Sequence, residues 1–135
     1  MASTIPPEPP LSARGAKGTA DLYFSKVVRA RGHCERCGNT SGPFEAAHII
    51  RRRYVGDPDG IGLRTNEDNA WCLCPPCHRT VDLDPVAFVN LVNDTLGDAK
   101  YSELLHIRNA LHRPWRESDW VKERQRLLAL LKASA

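Results

Sequence analysis

Two Cys-x-x-Cys pairs, Cys34-Glu-Arg-Cys37 and Cys74-Pro-Pro-Cys77, constrain this chain more than any other feature. Together they can supply four thiolates at about 2.3 Å around a tetrahedral Zn²⁺, the usual closed structural site. The fifth cysteine, Cys72, makes the total odd. The opening MASTIPPEPPLSARG has no apolar leader segment, so a secreted disulfide framework is not expected. A redox dithiol is the weaker reading, because the helix start of a βαβ unit is missing around the first pair. Cys72 is expected to be a small buried hydrophobe, or to compete with Cys74 as a ligand from one strand face.

The remaining composition is that of an ordinary globular chain. With 135 residues, 41% hydrophobic and 26% charged, there is material for one domain with a real core, and global disorder is excluded. No apolar run approaches the roughly 18 residues of a membrane span. A cytoplasmic protein without membrane contact is expected. The net charge of +3 decides little, but its distribution is uneven. Lys26, Arg29, Arg31, Arg36, Arg51, Arg52 and Arg53 stand against only Glu35 and Glu45 in that stretch, which suggests a surface facing a polyanion.

The pattern of apolar residues and breakers predicts an α+β chain. Residues 1–18, proline-rich at the start, read as a flexible arm, and 19–135 as a single domain. A helix is expected over 20–31, with Thr19 as its cap and Gly32 at its end. Residues 42–53 read as strand and hairpin, 54–66 as a Gly/Asp/Pro-rich loop, and 78–82 as one to two helical turns. Three helices should follow in an extension over 84–135. One starts at Asp84-Pro85 and closes at Gly97, one spans 99–111, and one begins near Ser118. The basic stretch Lys122–Arg126 is expected on the exposed face of the last helix.

Between and after the cysteine pairs lie the residues that carry chemistry. His48 sits in Glu45-Ala-Ala-His48-Ile-Ile, Asn69 lies five residues before Cys74, His78 follows Cys77, and Asp82 is four residues further on. A neutral imidazole is suited to deprotonating water near neutral pH, so His48 is the candidate general base. His78 and Asp82, at i and i+4, would point two metal ligands from one helix face. Asn69 carries an amide that both donates and accepts, so it can clamp the hairpin and orient His48. Arg51, Arg52 and Arg53 can contact successive phosphates.

In order and spacing, the run C-x-x-C, A-H-I-I, N-x(4)-C-x-x-C-H, Asp resembles the His-Asn-His (HNH) or ββα-metal endonucleases, over about residues 33–83. The zinc-containing forms from bacteriophages and bacterial genomes are the most similar. The resemblance implies a small zinc-stapled ββα-metal core, with Cys34, Cys37, Cys74 and Cys77 on a structural zinc. It implies His48, Asn69 and His78 as the catalytic set, with His78 and Asp82 holding a separate Mg²⁺, Mn²⁺ or other divalent ion. Asp82 stands where some relatives carry a second metal-binding His. The implied activity is DNA phosphodiester hydrolysis, leaving a 5′-phosphate and a 3′-hydroxyl, in the cytoplasm of a bacterial host. One departure stands out: the residue before the base is often a metal-binding Asp or His, and here it is Ala47. The alternative is therefore a silent zinc-containing DNA-binding module, or an accessory protein needing a phage packaging or restriction partner.

Overall fold

The computed structural model describes residues 11–51, 62–110 and 113–134. Among them are five α-helices and a two-stranded antiparallel sheet. The order is α1 (Leu11–Arg29), β1 (Glu45–His48), a single 3-10 turn (Glu67–Asn69), β2 (Ala70–Leu73), α2 (Pro75–Leu83), α3 (Pro85–Thr95), α4 (Gly97–Asn109) and α5 (Glu117–Ala133). No helix among these residues is long and apolar enough to cross a membrane.

The sheet divides two cores. Its register pairs Glu45 with Leu73, Ala46 with Cys72, Ala47 with Trp71, and His48 with Ala70. Because side chains alternate along a strand, Ala47, Trp71 and Leu73 share one face and Ala46, Cys72 and Ala70 the other. The first face packs with Val81, Leu91, Val92 and Leu104 from α2, α3 and α4. The second packs with Tyr23, Phe24 and Val28 of α1 and Trp120, Leu127 and Leu131 of α5. All four residues of β2 are buried, consistent with its uninterrupted apolar sequence Ala-Trp-Cys-Leu.

The strand at residues 42–53 is shorter than the pattern predicts. Among the described residues it covers only Glu45–His48, and Ile49 and Ile50 leave the ladder to enter the first core. Helix α1 departs in the other direction. It begins at Leu11, with a break in helical geometry at Gly15 (φ 70°), so 11–18 are helical and not an arm. Thr19 is not a cap. It is fully buried inside the helix, and its hydroxyl donates to the Gly15 carbonyl at 2.9 Å. Ala16 and Ala20 are also fully buried, and these small side chains let α1 lie close along α5. The rest of the expected arm, 1–10, lies outside the described residues, as do 52–61 of the expected hairpin and loop.

The helical extension follows its start and stop signals closely. Asp84 caps α3 by accepting from the Val86 N–H at 3.0 Å, and Gly97, at φ +77°, makes the turn into α4. In α5 the basic stretch is not simply a solvated face. Arg124 is buried, and Arg126 donates to Glu123, Glu67 and the Thr65 carbonyl. These bonds tie α5 to the turn before β2.

Candidate functional site

The two cysteine pairs meet. Past α1 the chain reverses at Gly38 (φ +80°), where only glycine is unstrained, and the Gly38 N–H donates to the Cys34 carbonyl at 2.8 Å. Cys74 is the N-cap residue of α2 and Cys77 lies in its first turn, with Pro75 at a position where no amide hydrogen is needed. The four sulfurs lie within 4.8 Å of one another. Around a tetrahedral zinc with sulfurs at ~2.3 Å, neighbouring sulfurs sit ~3.8 Å apart, and Cys37 Sγ and Cys74 Sγ are 3.8 Å apart. The residues fit the ion. Cys34, Cys74 and Cys77 are buried and Cys37 is exposed.

Electrostatics explains why this cluster calls for a cation. Burial pushes the Cys77 thiol up, and the neighbouring sulfurs of Cys74, Cys34 and Cys37 outweigh the Arg36 guanidinium, so it rises to about 12. Burial also opposes ionisation of Cys34. There the amides of Cys37, Cys74 and Arg36 point at the sulfur and bring it down to about 6. One thiolate forms readily and another proton is held until a metal displaces it. Arg36 Nη1 stands 3.6 Å from Cys77 Sγ, a cation beside the charge of a four-thiolate site. Cys72 is not a fifth ligand. The strand ends at Leu73, and Cys72 faces α1 and α5, where burial and then the Glu35 charge push its thiol up.

Asn69 does the clamping its amide allows. It is fully buried. Its Oδ1 accepts from the Ile50 N–H at 2.8 Å, and its Nδ2 donates to the carbonyls of Ile50 and Leu63 at 3.0 and 3.2 Å. Its own carbonyl accepts from the Ile49 N–H at 3.0 Å. Both ends of the connection between β1 and β2 are thereby held to one residue. Replacing Asn69 with Ala leaves two buried backbone groups, the Ile50 N–H and carbonyl, without partners, each costing about 1–3 kcal/mol, while the Leu63 carbonyl keeps the Asn66 N–H. Urea unfolding of Asn69→Ala should show a stability loss of at least about 2 kcal/mol; a loss below about 1 kcal/mol would contradict the clamp.

His78 lies between two carboxylates. Its Nδ1–H donates to Glu45 Oε1 at 2.8 Å, and its Nε2 faces Asp82 Oδ2 at 3.5 Å. Glu45 is on the same strand face as Ala47, and that register brings it to α2. A carboxylate on one imidazole nitrogen is the usual outer partner of a metal-binding histidine, fixing its tautomer and orientation. The gap of 3.5 Å is also close to the separation of two ligands on one ion at ~2.0–2.2 Å. His78 and Asp82 are thus two side chains that could hold an ion, with Glu45 behind His78. Arg51 Nη2 donates to Asp82 Oδ1 at 2.6 Å, which keeps that carboxylate in place.

No protein-family model, curated protein or solved structure matches this chain. Function therefore follows from the site's own chemistry.

His48 occupies the opposite face of β1. Its pleat position is shared with Ala46, and its ring stacks on Phe24 of α1 at 5.1 Å with an interplanar angle of 20°. Its Nε2–H donates to the Arg64 carbonyl at 2.8 Å. The structure thus groups His78, Asp82, Glu45 and Arg51, and sets His48 apart from them across the strand. Asn69 steadies the backbone just past His48 through Ile49 and Ile50; the His48 ring itself is oriented by Arg64 and Phe24.

The expected basic face is partly internal. Arg31 donates to the carbonyls of Ala70 and Glu67 and to Glu35, and Arg36 serves the sulfur cluster. Arg52 and Arg53 lie outside the described residues. Glu35 closes the outer edge of β2: its N–H donates to the Cys72 carbonyl and its carboxylate accepts from the Cys72 N–H. The sequence signal for Glu45 was its place two residues before Ala47. Nothing local pointed to the Arg51–Asp82 or Glu35–Cys72 contacts.

Proposed function

We propose that this chain is a metal-dependent endonuclease of the HNH kind, hydrolysing DNA phosphodiester bonds, with its zinc structural. The observation that supports this reading best is His78 held by Glu45 on one nitrogen and directed at Asp82 by the other. β1 pairs with no second strand on its outer edge among the described residues. In this reading a phosphate lies along that edge, met by His48 from one face and by His78 and Asp82 from the other. His48 takes the proton of the attacking water on Nδ1 while the Arg64 carbonyl stabilises the imidazolium that forms. The water oxygen bonds to phosphorus, the bond to the 3′-oxygen breaks, and that oxygen is protonated by solvent. A divalent ion on His78 and Asp82 would supply positive charge to the phosphoryl and leaving oxygens. Asn69 holds the backbone that places His48, and Arg51, paired with Asp82, would be a contact for a flanking phosphate.

The zinc-loaded protein should relax supercoiled plasmid only when Mg²⁺, Mn²⁺ or another divalent ion is added. Glu45→Gln should lower metal affinity or activity by roughly 10- to 100-fold, the usual effect of losing a histidine's outer partner. An unchanged Glu45→Gln protein would contradict the role given to Glu45. A silent DNA-binding module is the second reading, favoured by Ala47 and by the His48 stack on Phe24. It predicts DNA binding with no cleavage under any of these ions.

A further inference from the structure

Beside the proposed ion site lies a cleft of about 360 Å³, between the start of the β1–β2 connection and helices α2, α3 and α4. Its apolar lining includes Ile50, Phe88 and Tyr101, and its charged lining is Arg51, Asp82 and Arg108. Phe88 and Tyr101 are half-buried and meet edge to face at 6.4 Å. The volume is within the range of about 300–1,000 Å³ typical of small-ligand sites, with the usual apolar floor and a few polar groups.

We infer that this cleft receives an unpaired nucleobase next to the scissile phosphate, so that the enzyme prefers single-stranded or locally unpaired DNA. This rests on the nuclease reading above and adds the form of its substrate. Asp82 carries the argument, because it belongs to both the ion pair and the cleft wall. A nucleotide attached to a phosphate held at His78 and Asp82 would have this opening beside it. The two arginines complement that attachment. Arg51 already meets Asp82, and Arg108 has only the side chain of its neighbour Asn109 as a partner and no acidic one among the described residues. Aromatic rings between cations are the usual platform for unpaired bases, since every base offers a flat face to stack. A base inside a duplex cannot enter such a pocket without leaving its stack.

The test is fluorescence anisotropy on the zinc-loaded protein without added divalent ion. The probes are a labelled single strand, the duplex of the same sequence, and an equally long strand lacking bases. The single strand should bind most tightly. Phe88→Ala should weaken its binding by roughly 5- to 150-fold, as loss of base stacking does, and leave duplex binding unchanged. Phe88 also packs on Trp71, so Val89→Glu is the companion variant. Val89 lines the cleft and is 53% exposed, so a carboxylate there repels the strand without emptying the core. Equal binding of all three probes, or a single-strand preference untouched by either variant, would overturn the cleft and leave the nuclease reading standing. Absence of binding to any DNA would overturn both.

Discussion

Removing zinc should unfold the protein and not merely silence it. Three of the four sulfur ligands are buried within the first core, and the segment from residue 34 to 40 has no regular secondary structure of its own. The cluster is what fastens this segment to α2. Zinc on four thiolates is worth about 10–16 kcal/mol in small domains, which matches or exceeds the whole net stability of about 5–15 kcal/mol of a typical protein. Cys34→Ser or Cys77→Ser should therefore lose both the metal and the cooperative melting transition. Cys72→Ala should keep one zinc per chain and fold, because Cys72 faces the other core. The pH dependence has a definite sign. The Cys77 thiol, pushed up to about 12, keeps its proton in the ion-free cluster at neutral pH, so zinc must displace it. Zinc uptake should release protons, and its affinity should fall as pH falls. Metal content and circular-dichroism melting before and after chelation check this. An unchanged melting curve after complete zinc removal would contradict it.

Parts of this structure were legible in the sequence because strict chemistry imposed them. The convergence of Cys34, Cys37, Cys74 and Cys77 follows from what a tetrahedral ion needs, whatever the intervening fold. Asp84-Pro85 and Gly97 mark helix limits through local backbone requirements, and both do so here. Asn69 as a clamp was readable from its amide, although its bonds go to Ile50 and Leu63 and not to the His48 ring. What was not legible depends on long-range packing. Ala16 and Ala20 carry little hydrophobic signal, and only α5 lying against them explains a helix that starts at Leu11. The roles of Arg31 and Arg36 inside the fold are invisible in a charge count, because charge does not say which carbonyl or sulfur lies nearby. The face of His48 was likewise set by the β1–β2 register, which no spacing along the chain reveals.

That placement gives His48 the second large expected effect. Its Nε2–H is committed to the Arg64 carbonyl and its ring is steadied by Phe24, and in the proposed mechanism the proton goes to Nδ1. Removing a general base costs typically 10²–10⁴-fold in rate. The fold should tolerate His48→Ala, since the residue is half-buried at the end of β1 and holds neither the sulfur cluster nor the Asn69 clamp.

Plasmid cleavage by wild-type and His48→Ala protein is the most direct test, each first shown to carry one zinc per chain. With Mg²⁺ or Mn²⁺ present, wild-type protein should cut and the variant should be slower by about 10²–10⁴-fold, with DNA affinity unchanged. Equal rates in the two proteins would reject His48 as the base, and no cleavage by either would reject the nuclease.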